Sequence, residues 1–174
     1  MRLKDKLLVK RILSKDEEAF NQLYYRYKNL ICYHVSNACK KNYDIDDIVQ
    51  DIFLKIVENI KYYRSELSSL TTWISVITRN HIIDYLKKTD DIVYDNEYIE
   101  NLSSPEDHFD YEFDEYTKEL TVLEKDILVL KNIYKLPHAE ICKALNITID
   151  VSKKAYKRAT NKAYKEWKSN ETKI

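Results

Sequence analysis

The chain has no glycine among its 174 residues, where an average composition of about 7% would supply about a dozen. Left-handed turns must then be made by residues that carry a Cβ, at a cost of roughly 1–2 kcal/mol each, and Asn, Asp and Lys are the candidates at helix ends and turns. Phosphate loops and nucleophile turns built on glycine are excluded. The chain can carry no Walker loop, no Rossmann GxGxxG fingerprint and no GxSxG elbow. Tight hairpin turns lean on glycine as well. The expected fold is all-α.

The length fits one or two small domains, and a hydrophobic share of 44% can fill their cores. No apolar run approaches the ~20 residues that cross a bilayer, and the charged N-terminus does not resemble a secretion signal. A cytoplasmic protein without direct membrane insertion is expected. Cys32, Cys39 and Cys142 form an odd, widely spaced set, which suits reduced, buried thiols better than a disulfide framework or structural zinc. Cys32, His34 and Cys39 could be grouped as metal ligands, but their helical spacing serves packing at least as well. No metal, no other cofactor and no small-molecule substrate is expected. Fifteen Tyr, with abundant Lys, Ile and Asn, read as the translation of AT-rich DNA and carry little functional weight.

The formal charge of zero hides an uneven distribution. Residues 89–117 hold eleven acids and no Lys or Arg; setting those eleven aside from the 29 acids of the chain leaves 18 against 29 basic residues. Two basic lobes, 1–88 and 118–174, joined by an acidic linker over 89–117 are expected, with Ser103, Ser104 and Pro105 at its least regular point. The linker reads as a flexible tether, as a strand that occupies a cationic channel in a partner, or as a shield over the basic lobes.

In the first lobe, Ser14 and Glu17 are spaced as a capping box, opening a helix with Phe20, Leu23, Tyr24, Tyr27, Ile31 and Val35 on one face. Asp44 is placed to cap the next helix. There Ile45, Ile48, Val49, Ile52, Ile56, Val57 and Ile60 recur at helical spacing and leave Asp46, Asp47, Gln50, Asp51 and Lys55 exposed. A loop over 61–72 leads to a third helix over about 72–88, in which Trp73, Ile74, Ile77, Ile82 and Leu86 are apolar and Arg79, Asn80, Asp84, Lys87 and Lys88 polar.

Residues 136–163 read as a helix, a short turn and a basic helix. This is the layout of a helix-turn-helix, whose second helix enters a DNA major groove. Leu136, Ile141 and Leu145 supply the apolar face of the first helix, and Ile147, Ile149 and Val151 pin the turn. Lys153, Lys154, Lys157 and Arg158 crowd one side of the second, where they can reach phosphates or base edges. A solvated lysine face is the plainer alternative.

Three runs occur in order: DDIVQDIFLKIVENI (46–60), WISVITRNHIIDYLKK (73–88), and LTVLEKDILVLKNIYKLPHAEICKAL (120–145) followed by KKAYKRA (153–159). With them the chain resembles an extracytoplasmic-function (ECF) type sigma factor of bacterial RNA polymerase, grouped with the primary sigma factor family, from about Asp16 to Lys165. The resemblance implies a sigma-2-like domain over 1–88 and a sigma-4-like helix-turn-helix domain over 118–174. It also implies a protein that is not an enzyme but binds core RNA polymerase, brings it to promoter DNA and assists melting.

Under that resemblance Asp46, Asp47, Gln50 and Asp51 fall on the helix that docks on the coiled coil of the largest polymerase subunit. Tyr62, Tyr63, Ser65, Ser68 and Ser69 fall in the loop that holds a flipped base of the −10 element, by hydrogen bonding and stacking. Trp73 is core or base wedge. Arg79, Asn80, Lys87 and Lys88 face the −10 strand, with Asp84 orienting Arg79 or Asn80, and Lys153, Lys154, Lys157 and Arg158 read the −35 element. An anti-sigma factor is a usual partner. The chain departs from the family's GTVKSRLxRA pattern at Asn146, where the turn glycine would be, and at Ala155, where Arg is common and a DNA contact is lost. Pro137 replaces a capping Ser, harmlessly in a first turn.

Three alternatives stay open: a helix-turn-helix regulator that needs no polymerase, an enzyme such as a Tyr recombinase or a metal nuclease using the acids near 46–51, and a polymerase-binding adaptor that no longer reads promoters. No Tyr has a convincing catalytic set of Arg and His around it.

Overall fold

The computed structural model describes residues 2–38, 44–88 and 116–171. Every regular element among them is helical, so the all-α expectation holds. The chain divides into two compact units, Met1–Ile92 and Val93–Ile174. The expectations about the acidic segment 89–115 and about Cys39 lie outside the described residues.

The first unit consists of α1 (Arg2–Leu13), α2 (Glu17–Ala38), α3 (Ile45–Asn59), a 3-10 turn (Ile60–Tyr62) and α4 (Leu70–Lys88). α2 packs on each of the other three helices. The two apolar stripes meet in the core, where Leu23, Tyr27, Ile31, Ile48, Ile52 and Ile56 are fully buried together with Leu70 and Ile74 of α4. Burial of each such aliphatic side chain contributes about 1.5–3 kcal/mol. The stripes expected from periodicity overreach at Tyr24 and Val57, each 37% exposed. α4 buries Thr71, Thr72, Ser75 and Thr78 beside its apolar residues, a face that a search for apolar periodicity passes over.

Helix starts differ from expectation where a better cap lies nearby. α1 ends with Ser14 Oγ donating to Lys10 O at 3.1 Å, and Lys15 turns the chain at φ 60°. Asp16, not Ser14, caps α2: its Oδ1 accepts from Ala19 N at 3.1 Å and its Oδ2 from Arg11 Nε at 2.7 Å. A carboxylate also meets the positive end of the helix dipole, which a hydroxyl cannot match. Asp44 caps α3 as expected, accepting from Asp47 N at 3.2 Å. α4 begins at Leu70 rather than 72, because Ser69 Oγ accepts from Thr72 N at 3.1 Å.

In the second unit α5 (Val122–Leu128) runs into a π-helical turn (Val129–Ile133), followed by α6 (His138–Leu145) and α7 (Ile149–Glu171). Ile141 and Leu145 are buried on α6 as expected, and Leu136 is buried too but precedes the helix rather than lying on its face. Asn146 takes the left-handed turn between α6 and α7 at φ 57° and ψ 45°, the conformation a glycine would otherwise supply. Ile149 and Val151 do not pin that turn, being 45% and 41% exposed. The inner face of α7 is instead Ser152, Ala155 and Ala159, all fully buried. Small side chains there let the helices approach closely.

Candidate nucleic-acid interface

The exposed side of α3 changes character along its length. Asp46, Asp47, Gln50 and Asp51 are exposed at its N-terminal half, where carboxylates are also favoured by the helix dipole. Further along, Leu54 is 55% exposed, and across from it the Tyr24 ring lies 4.8 Å from that of Phe53, with Tyr25 exposed beside it. The acids are legible in the sequence and exposed Leu54 is not, because it falls off the core stripe. Among the described residues no group of three His, Cys, Asp or Glu side chains converges as a metal site would require.

The loop between the 3-10 turn and α4 spans 63–69, shorter than the expected 61–72 because Leu70, Thr71 and Thr72 are helical. Tyr62 stands out from it at 65% exposed, with Lys61 Nζ 5.0 Å from its ring centroid. Tyr63 does the opposite. Its ring is buried edge-on to Trp73 at 5.7 Å and its hydroxyl donates to Ser68 O at 3.1 Å. Ser69 is also buried and is the α4 cap. Tyr63 and Ser69 therefore brace the loop from beneath, Ser65, Ser68 and Trp73 are half-buried, and Tyr62 is exposed. Ser65 Oγ donates to Glu66 Oε1 at 3.1 Å.

A residue that the sequence reading did not single out anchors this region. The buried Asp5 carboxylate of α1 accepts from Leu70 N at 3.4 Å, the first amide of α4, and forms an ion pair with Arg26 Nη1 at 3.0 Å. Sixty-five positions separate Asp5 from Leu70, so no local pattern announces the contact. Along α4, Asn80, Asp84, Lys87 and Lys88 are exposed, and their i, i+4, i+7, i+8 spacing sets them on one face. Arg79 lies one residue round, half-buried, and burial holds its guanidinium below its ordinary pKa. Its Nε has no hydrogen-bond partner among the described residues, so Asp84 does not orient it there.

On α7, Lys153, Lys154, Lys157 and Arg158 are all exposed. Arg158 is nonetheless engaged: its Nε donates to Glu124 Oε1 of α5 at 3.1 Å. Ala155 is fully buried, so this position faces the first helices of the unit and its small side chain is a packing feature. His138 Nδ1 lies 2.8 Å from Ser152 Oγ, tying the start of α6 to α7, and Tyr156 OH donates to Asn132 Oδ1 at 3.1 Å.

Residues 23–92 match Sigma-70 region 2. That stretch takes in most of α2 and all of α3, the loop and α4. An ECF RNA polymerase sigma-E factor of Haemophilus influenzae is 37% identical over 84 residues, covering 48% of this chain and 43% of the relative. The sigma-E factor of Escherichia coli K12 is 33% identical over a stretch of the same 84-residue length and the same coverage. The chain thus spans less than half the length of these relatives. By structure the chain is similar to CnrH in its complex with the cytosolic domain of CnrY, with a TM-score of 0.58 and 16% identity over 95% of this chain and 97% of that one. It is similar too to the sigma factor RpoE of Bartonella quintana, solved with the anti-sigma factor NepR, at a TM-score of 0.58 and 16% identity over 86% of this chain and 96% of that one. At that identity the likeness is one of fold. No helix among the described residues is long and apolar enough to cross a membrane.

Proposed function

We propose that the chain is an alternative sigma factor of the ECF type, which binds core RNA polymerase in the cytoplasm, directs it to promoters and helps to open them, without catalysing a reaction itself. The observation that carries this reading is the Sigma-70 region 2 match over residues 23–92, because the matched helices are those that display the acidic α3 face, the polar loop and the α4 cations together. The helix-turn-helix of the second unit supports it by offering a second, duplex-reading surface.

In this reading 1–88 is a sigma-2-like domain, 118–174 a sigma-4-like domain and 89–117 the linker. Asp46, Asp47, Gln50 and Asp51 dock on core polymerase, with the apolar half of α3 beside them. Tyr62, Ser65 and Ser68 take an unpaired −10 base, while Tyr63, Ser69 and Trp73 keep the loop in shape. Asn80, Lys87 and Lys88 follow the −10 strand, with Arg79 at its side. Lys153, Lys154 and Lys157 meet phosphates of the −35 element. An anti-sigma factor, the kind of partner with which RpoE was solved, belongs to the same reading.

Competition against a labelled sigma factor for purified core polymerase tests the proposal. The full chain should displace the label, and Asp47→Lys with Asp51→Lys should weaken displacement at least tenfold at unchanged helical content. A chain that never displaces the label is not a sigma factor, and the polymerase-independent regulator would take its place.

A further inference from the structure

Glu124 lies in the first turn of α5 with its side chain only 2% exposed. A buried carboxylate is costly unless it is paired and hydrogen-bonded, and Glu124 is both. Its Oε2 accepts from Thr121 N at 3.1 Å while Thr121 Oγ1 accepts from Glu124 N at 3.3 Å, completing a capping box. Two cations of α7 join it: Arg158 Nε donates to Oε1 at 3.1 Å and Lys162 Nζ to Oε2 at 2.8 Å. Lys162 Nζ also donates to Glu119 O at 3.1 Å. The cap alone does not require a charge, since Gln serves at this position of a capping box as well as Glu. What the charge adds is a hold on α7.

The placement of the cations gives that hold a direction. At about 100° per residue, Lys153, Lys157 and Lys154 occupy one side of α7, Arg158 and Lys162 follow round from them, and the buried Ala155, Ala159 and Ser152 come next. Arg158 and Lys162 thus stand at the border between the basic face and the packed face. A guanidinium released from Glu124 at this border would swing toward the phosphates that Lys154 can reach one turn earlier.

We propose that Glu124 is a positioning residue for DNA binding, which fixes the rotation of α7 by pairing with Arg158 and Lys162, so that Lys153, Lys154 and Lys157 face the duplex and Arg158 contacts neither phosphate nor base. The proposal rests on the second unit being a duplex reader.

The test uses the full chain with core polymerase and double-stranded DNA selected from a random-sequence pool, measuring affinity against salt. Lys154→Gln should lower the slope of log affinity on log salt by about 0.9, the value for one phosphate on B-DNA. Arg158→Gln should leave the slope unchanged. Glu124→Gln, which keeps the cap, should steepen it by about 0.9 for each released cation that reaches a phosphate and broaden the selected sequences, and adding Arg158→Gln and Lys162→Gln to it should restore the wild-type slope. A loss of about 0.9 on Arg158→Gln alone, or a Glu124→Gln protein with wild-type slope and sequences, overturns the proposal. Should Glu124→Gln not fold, the Arg158→Gln slope still decides. The underlying reading fails separately: DNA affinity indifferent to Lys153→Ala, Lys154→Ala and Lys157→Ala together would show that α7 does not meet DNA at all.

Discussion

A chain without glycine has to place Cβ-bearing residues where the backbone turns left-handed, and among the described residues these are Lys15, Lys135 and Asn146, with φ of 60°, 55° and 57°. Each carries a strain of roughly 1–2 kcal/mol unless its side chain offsets it, and Asn is the residue best able to do so. Lys135→Gly should therefore raise thermal stability modestly, by under about 1 kcal/mol once the greater freedom of the unfolded glycine chain is set against the relief. Asn146→Ala should lower it by about 1 kcal/mol. Chemical denaturation of the three proteins decides this, and a stabilising Asn146→Ala would mean that the turn is not left-handed in solution. Asn146 was legible in the sequence because its neighbours on both sides carry helical patterns and the gap between them needs a turn. Asp16 was not, because Ser14 satisfies the same spacing rule and only the Arg11 contact and the Lys15 turn decide between them. The Arg158 pairing was illegible for a related reason: its partner Glu124 lies 34 positions away, and periodicity is blind to such pairs.

At the level of elements, α3 and α6 were legible nearly in full, since strong apolar periodicity and a good cap or turn agree. α4 was read with its start misplaced, because its buried Thr and Ser residues look like surface in a sequence. In the loop before it Tyr62 is exposed, Ser65 and Ser68 half-buried, and Tyr63 and Ser69 buried, and the buried positions should respond differently to substitution from the rest. Ser69→Ala removes the α4 cap and should cost about 0.5–2 kcal/mol of stability. Tyr62→Ala with Ser65→Ala and Ser68→Ala should leave the melting temperature nearly unchanged but reduce promoter opening several-fold on linear duplex. A pre-melted bubble should restore part of that loss, because the cost of unpairing is then already met. Permanganate reactivity on both templates reads the effect; full melting of linear duplex by the triple variant would make the loop a plain connector.

For the whole molecule, acid should weaken both units, through different groups. Burial holds the His34 imidazole of the first unit down at about 4, against 6.5 ordinarily. The unfolded chain therefore takes up this proton first as pH falls, so stability declines from about pH 6.5 toward pH 4 and is unaffected above that range. In the second unit burial pushes the Glu124 carboxyl up, but Lys162, the Thr121 amide and Arg158 outweigh it and leave it below its ordinary 4.5. That contribution is complete above the ordinary value and is lost as pH falls through the depressed one. His34→Gln should flatten the decline between pH 6.5 and 4; an unchanged decline would assign it to other groups.

If the two units serve polymerase-dependent initiation at promoters, the chain must make core polymerase transcribe. Purified core RNA polymerase, a library of random upstream sequences and the full chain should together yield transcripts that start at a fixed distance below a shared pair of −10 and −35 sequences, and core polymerase alone should yield none of them. Contradiction would be a chain that binds specific duplex sequences unaided and leaves core polymerase without transcripts from any of them.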